Sequence, residues 1–337
     1  MSDIAVQEKP AGLDPATNPE RVPAADLEAW RAATERLNTH AKAAGLSRSE
    51  IARRSEVPMG TLSPWLDGKY GGSVANVTAK VIRYLDAIEE RQRTAVAIPD
   101  VPDFVMTRAA REVTDALIYA QTMSEMVIIT LAAGMGKSTA CREFVRTSPG
   151  AFMVTMRETT RSAYSMVAEI ALELDIPEQN PRKIDRAIGQ RLRRNGRQTL
   201  LIVDEAQHIE DAAVNQLRYW LDQWGCGIAL VGNEEVHTRW GGASPRAGFG
   251  QLHSRIGKRL SRSAPYPEDI AHLLDIWNIS DKDCRRLLST IAKKAGAFRQ
   301  VDKTIRLAHL LAAGAQQPLS ADHIRAAWAN RGNEELR

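Results

Sequence analysis

The stretch VIITLAAGMGKSTACREF, Val127 to Phe144, constrains the fold more than any other part of the chain. An apolar, partly β-branched run leads straight into a glycine-bearing loop, and the loop leads into a helical pattern. In that context, backbone N–H groups can surround an anion at a helix N-terminus. Gly134 and Gly136 permit close backbone approach, Lys137 is long enough to reach the β and γ phosphates of ATP, and Ser138 can ligate Mg²⁺. Ala133, Met135 and Thr139 complete the expected phosphate cradle. One corner departs from the pattern G-x-x-x-x-G-K-[ST], because Leu131 stands where the first glycine belongs. That corner lies at the strand exit, away from the anion, so Leu131 is expected to alter loop geometry more than donor number.

A strand, loop and helix of this kind need neighbouring strands, and the chain supplies them. Val127–Thr130, Phe152–Met156, Leu200–Val203 and Ile228–Val231 are short apolar runs separated by helical patterns, which points to a parallel sheet with crossover connections. From Pro265 onward the strand pattern stops, and four helical segments read as a small all-helical unit. Before the sheet, Leu27, Trp30, Leu37 and Ala41 fall at helical spacing. Ser47 with Glu50 three residues on forms a capping-box pattern. A further helix from about Ser73 to Arg91 places Val74, Val77, Val81, Leu85 and Ile88 on one face.

These readings give five regions: a disordered tail over 1–25, a helical domain over 26–93, a proline-bearing linker over 94–104, an α/β subdomain over 105–264 and a helical subdomain over 265–337. A content of 44% hydrophobic and 26% charged residues describes an ordinary soluble protein. No signal peptide or bilayer-length apolar run is apparent, so a cytoplasmic protein with no membrane partner is expected. Cys141, Cys226 and Cys284 lack metal-ligand spacing and read as reduced, structural residues. The net charge is only +4, but PRKIDRAIGQRLRRNGR and HSRIGKRLSR concentrate positive residues. Each reads either as a solvated helix face or as a contact for a polyanion.

Three further segments bear on the phosphate loop. In TLLIVDEAQHI, Asp204 and Glu205 follow a strand of apolar residues. Beside a phosphate loop, the first can hold Mg²⁺ and the second can polarise the attacking water. In GIALVGNEEV, Asn233 ends a buried strand, where its amide can orient that water. In GAFR, Arg299 opens a helix of the C-terminal unit and can reach over the γ-phosphate. Together these elements resemble the AAA+ ATPases, with Walker A and B motifs, a sensor-1 Asn and a sensor-2 Arg in a helical lid. By that resemblance Arg255, or else Arg259, is an arginine finger acting on the ATP of a neighbouring subunit.

The segment SRSEIARRSEVPMGTLSPWLDGKY looks like a helix-turn-helix of the phage-repressor kind. Ile51, Ala52, Val57, Leu62 and Leu66 would face its core, leaving Met59, Gly60, Thr61, Ser63 and Lys69 outward. Pro64 is irregular there, since a proline inside a helix removes a hydrogen bond. The order of these modules, and the blocks LDGKYGG, GMGKSTACREF, LLIVDEAQHIE, LVGNEEV, SRIGKRL and KKAGAFRQVDKTIRLA, resemble the bacteriophage Mu B transposition protein family. The resemblance implies an ATP-dependent, largely sequence-nonspecific DNA-binding ATPase. Such a protein forms helical filaments on double-stranded DNA, delivers that DNA to a DDE-type transposase, and is stimulated by both. It also implies that Arg157, Thr159, Thr160 and Arg161, in RETTRSAY, track DNA; a surface loop with capping threonines is the plainer alternative. Two other functions stay open at this point. One is a sequence-specific transcription regulator with an oligomerising AAA+ domain. The other, a DEAH-type helicase suggested by DEAQH, needs a second motor domain for which too little chain follows Asn233.

Overall fold

Five strands, β1 (Met126–Leu131), β2 (Ala151–Thr155), β3 (Leu200–Asp204), β4 (Gly227–Gly232) and β5 (Ile256–Arg262), pair in parallel in the order β2-β3-β4-β1-β5 in the computed structural model. The structure describes residues 19–96, 98–178, 180–193, 198–242 and 249–332. β1, β3 and β4 are buried along their whole length, which explains their unbroken apolar sequences. Parallel strands have all their carboxyl ends on one edge of the sheet. Because β4 lies between β1 and β3, the residue after β4 stands between the loop after β1 and the acids after β3.

The chain divides into two compact units at Ile98 and Pro99. The first contains α1 (Leu27–Ala44), α2 (Arg48–Arg54), α3 (Met59–Leu66) and α4 (Val74–Val96). Ser47 and Glu50 close the capping box that opens α2. Ile51, Ala52, Val57, Leu62 and Leu66 are buried, whereas Met59, Gly60 and Lys69 are exposed. Two tryptophans organise this core. Trp30 Nε1 donates to the Trp65 carbonyl (2.9 Å), Trp65 Nε1 donates to Thr78 Oγ1 (3.1 Å), and the rings meet edge to face with centroids 6.4 Å apart. Pro64 lies inside α3 itself. Residues 1–18 of the expected tail lie outside the described residues, but its expected bound at residue 25 runs too far: Arg21 N–H donates to the Gly68 carbonyl (2.9 Å) and Val22 packs on this core.

The second unit carries the sheet. α5 (Arg108–Met123) and α6 (Lys137–Thr147) cover one face through Val113, Leu117, Ala140 and Phe144. α7 (Ala163–Glu173), α8 (Pro181–Arg193) and α9 (Asp211–Trp224) cover the other through Ile170, Ile188, Leu217 and Trp220. Two short helices, α10 (Glu234–Val236) and α11 (Gly250–His253), precede β5. α12 (Pro267–Ile276), α13 (Lys282–Ala292), α14 (Ala297–Gly314) and α15 (Ala321–Asn330) form the helical end. The buried Asp269 of α12 accepts from the N–H groups of Arg108 (2.6 Å) and Ala109 (3.0 Å), tying that end to the start of α5.

One expectation needs correction here. HSRIGKRLSR is not a solvated helix face: its first residues end α11, and Ile256–Arg262 form the edge strand β5 against β1. A shift of register at Met126/Val127 turns Arg259 onto the Ile128 side and Leu260 onto the Ile129 side. Charged residues suit a sheet edge that must not pair further. PRKIDRAIGQRLRRNGR does form a helix, α8, through Arg193, and Arg194–Arg197 lie outside the described residues.

Candidate functional site

The phosphate loop leaves β1 at Leu131 and enters α6 at Lys137. Gly134 and Gly136 adopt φ of 80° and 84°, which only glycine takes without strain. They serve different purposes. A Cβ at Gly134 would collide with the carbonyl of Gly296, at the start of α14, whereas a Cβ at Gly136 meets nothing. Gly134 thus admits the helical end against the loop, and Gly136 opens the loop toward an incoming anion. Leu131 is buried among Met135, Ala140 and Ala297, so the substituted corner is a core residue of β1.

A cavity of about 360 Å³ adjoins the loop. Gly134, Met135, Gly136 and Thr139 line one side, and Trp277 and Arg299 belong to the helical side. Its remaining wall includes Val101–Phe104, in the stretch read as linker. The sequence offered no sign of this, because two prolines between helical patterns also describe a tether.

Asp204, at the tip of β3, is 2% exposed, and its Oδ1 has no hydrogen-bond partner. Burial raises its pKa, while the Ser138 hydroxyl, the Glu205 backbone and the Lys137 charge act in the opposite direction. A buried, orphaned carboxylate oxygen near a hydroxyl offers oxygen ligands that fit a hydrated Mg²⁺, and the neighbouring ammonium suits the phosphates such an ion accompanies. Lys137 itself is buried at the first turn of α6. Ala133 is exposed at the loop's outer face.

Glu205 turns the chain with φ 53° and begins the short turn Ala206–His208. Gln207 Nε2 donates to its carboxylate, while Gln207 Oε1 accepts from the Asn233 N–H (3.4 Å). Asn233 Oδ1 caps α10 by accepting from the Glu235 N–H (2.9 Å), which leaves its NH₂ able to donate elsewhere. Asn233 thus caps α10 and is linked to Glu205 through Gln207. Gln207 was missed in the sequence, where DEAQH drew notice only to its acids.

Arg299 is exposed and lines the cavity. Arg255 lies elsewhere. Its carbonyl accepts from Met126 N–H at the amino end of β1, and its guanidinium pairs with Asp222 (2.9 Å). Five strand steps, roughly 16 Å, separate that position from the phosphate loop, beyond the reach of one side chain. Arg259 is half-buried in β5, and its Nε and Nη2 have no hydrogen-bond partner among the described residues.

In RETTRSAY, Arg157 pairs with Glu169 and Arg161 with Glu210, each at 2.7 Å, and both remain exposed, as does Thr159. Thr160 does not fit the expectation of a DNA-facing residue. It is 6% exposed, and its hydroxyl accepts from the Arg157 N–H (3.0 Å) and lies beside the Arg157 carbonyl (3.0 Å). Lys69 is exposed, 4.0 Å from Glu20.

The family model for the C-terminal part of Mu B transposition proteins matches residues 254–330, and an AAA domain model matches 122–240. The ATP-dependent target DNA activator B of Escherichia phage Mu is 30% identical over 281 residues, covering 83% of this chain and 88% of that protein. The chain belongs to the Mu B transposition protein family. A second relative, the Mu-like prophage FluMu DNA transposition protein B of Haemophilus influenzae, is 30% identical over 80% of this chain and 93% of its own length. Among solved structures, Cdc6p from Pyrobaculum aerophilum aligns with TM-score 0.53 at 16% identity over 70% of each chain. The Drosophila ORC bound to DNA aligns with TM-score 0.52 at 13% identity over 73% of this chain and 66% of that one. At such identities these two show the AAA+ fold alone. No described helix is long and apolar enough to cross a membrane.

Proposed function

We propose that this Mu B family member is an ATP-dependent, largely sequence-nonspecific DNA-binding ATPase that assembles on target DNA as a helical filament and delivers it to a DDE-type transposase. The observation that carries the reading is the convergence of Lys137, Asp204, Glu205 and Asn233 at one sheet edge, beside a cavity lined by Arg299.

Backbone N–H groups from Ala133 to Thr139 and the Lys137 ammonium hold the phosphates. Ser138 and Asp204 would hold Mg²⁺, which when bound would neutralise phosphate charge. Glu205 accepts the proton of the attacking water, and the Asn233 NH₂ orients that water. Arg299 approaches the γ-phosphate from the helical end. The remaining cation comes from another copy: Arg255, at the far sheet edge, is suited to act only in trans, with Arg259 as the second candidate. ATP held between copies would favour assembly, and assembly multiplies weak phosphate contacts.

On this reading Arg157, Thr159 and Arg161 meet DNA phosphates, while Thr160 shapes the loop that presents them. Lys69 and the outward face of α3, with Met59 44% exposed, form a helix-turn-helix surface that adds to the contact. That same face favours one other reading, a sequence-specific regulator oligomerised by its AAA+ domain. The test is fluorescence anisotropy on random-sequence duplexes across a salt series, with and without ATP. Affinity is expected to rise with ATP and fall steeply with salt. Equal binding with and without nucleotide would contradict the proposal, and a footprint confined to one operator would favour the regulator.

A further inference from the structure

Gln207 joins the two groups that face the attacking water in the reading above. Its amide is used at both ends, Nε2 toward the Glu205 carboxylate and Oε1 toward the Asn233 N–H. The partners fix which end is which, because a carboxylate only accepts and an N–H only donates. A side chain that merely filled space would need neither function.

The surrounding chain is shaped for this contact. Glu205 takes a left-handed conformation, unusual for a residue with a Cβ, and so starts the turn that carries Gln207. At the tip of β4, a Cβ on Gly232 would press on Gln207 Oε1 at 2.5 Å, so glycine there admits the amide. Arg239 anchors the same turn independently: its Nη1 donates to the Gln207 carbonyl and its Nη2 to Asp211, each at 3.0 Å. The turn is therefore held by its backbone, and the Gln207 side chain is left for the bridge.

We infer that Gln207 is a positioning residue that sets the Glu205 carboxylate for hydrolysis and ties its placement to Asn233. The inference rests on the proposed role of Glu205 as base. Gln207 occupies Glu205 Oε2, which leaves Oε1 to take the proton of water. When the Asn233 NH₂ engages the attacking water, any adjustment of the β4–α10 junction passes through the Gln207 amide to the carboxylate. Water orientation and base alignment thereby become one event.

Gln207→Met keeps an unbranched side chain of similar length and removes both hydrogen bonds. Its kcat for ATP is expected to fall on the order of 100-fold, the effect of a small misplacement of a reacting group. KM for ATP should stay within about 3-fold, since ground-state binding is untouched. Gln207→Glu retains the acceptor toward Asn233 and loses the donor toward Glu205, so it should fall in the same direction. Combining Gln207→Met with Glu205→Gln should be no slower than Glu205→Gln alone, because Gln207 acts through that carboxylate.

Parental kcat in Gln207→Met, a loss confined to KM, or multiplicative losses in the double variant would each overturn the inference. Glu205→Gln, measured alongside, separates the two levels. Parental turnover in that variant overturns the base assignment and this inference with it. An inactive Glu205→Gln beside a fully active Gln207→Met overturns the inference alone.

Discussion

At the carboxyl edge of the sheet, Lys137, Ser138 and Asp204 act on one another and Glu205 is bridged to Asn233, all within one chain. The amino edge holds Arg255, engaged with Asp222 and five strand steps from the phosphate loop. The carboxyl edge has the groups to bind a nucleotide, hold a metal and accept a proton. The amino edge has a cation that, among the described residues, lies too far from the phosphate loop of its own chain to join that chemistry. On the proposed reading, one copy supplies the groups that grip the phosphates, whereas full catalysis needs two.

The comparison breaks most completely at Lys137. Lys137→Ala should abolish nucleotide-dependent assembly and turnover, followed by sedimentation with DNA and by phosphate release. Glu205→Gln should separate the functions that Lys137→Ala removes together. Assembly with ATP should persist while turnover falls by about 100-fold or more, the usual contribution of a general base. Parental turnover there would mean that the base lies elsewhere.

A smaller effect sharpens what the substituted corner of the loop does. Leu131 was expected to tune loop geometry, and Leu131→Gly to change nucleotide affinity only modestly. The buried position adds a second consequence. Removing that side chain should cost about 4 kcal/mol of stability, from the core cavity and the added backbone freedom of a strand glycine. Thermal melting with and without nucleotide distinguishes the two effects; an unchanged melting temperature would show that Leu131 does not support the core.

The smallest expected effect is a pH dependence. Burial raises the Asp204 pKa in the folded protein, so the folded state holds this proton more tightly than the unfolded chain. Its ionisation therefore costs nothing below the ordinary carboxylate range and destabilises progressively as pH rises through that range. Asp204→Asn removes the cost. It should raise the melting temperature of the nucleotide-free protein at pH 7, with a smaller gain at pH 4, and lose Mg²⁺-dependent turnover. A lower melting temperature at pH 7 would show that the charge is already compensated without metal.

Much of the carboxyl edge was legible in the sequence because its signals are local. Buried parallel strands are unbroken apolar runs, and a phosphate loop must carry glycines at fixed spacing. β5 was hidden for the opposite reason: as an edge strand it tolerates Lys258, Arg259 and Arg262, so its composition resembles a solvated surface. Gln207 and the approach of Gly296 to Gly134 were also hidden, because each depends on a partner distant in sequence. The wall at Val101–Phe104 looked like a tether, since prolines mark extended chain whether or not a cavity lies beside it. Thr160 failed as a surface residue because its hydroxyl bonds three residues back, and local sequence does not say which threonine of a pair turns inward.

The claim that the two edges serve different copies is tested most directly by mixing two inactive proteins. Arg255→Ala retains an intact Glu205 site, and Glu205→Gln retains an intact Arg255. In equal amounts on DNA, random head-to-tail assembly should restore roughly a quarter of the parental ATPase rate, because one interface in four joins the intact site to the intact arginine. Activity that stays at the level of the separate variants would contradict a finger acting from Arg255 in trans.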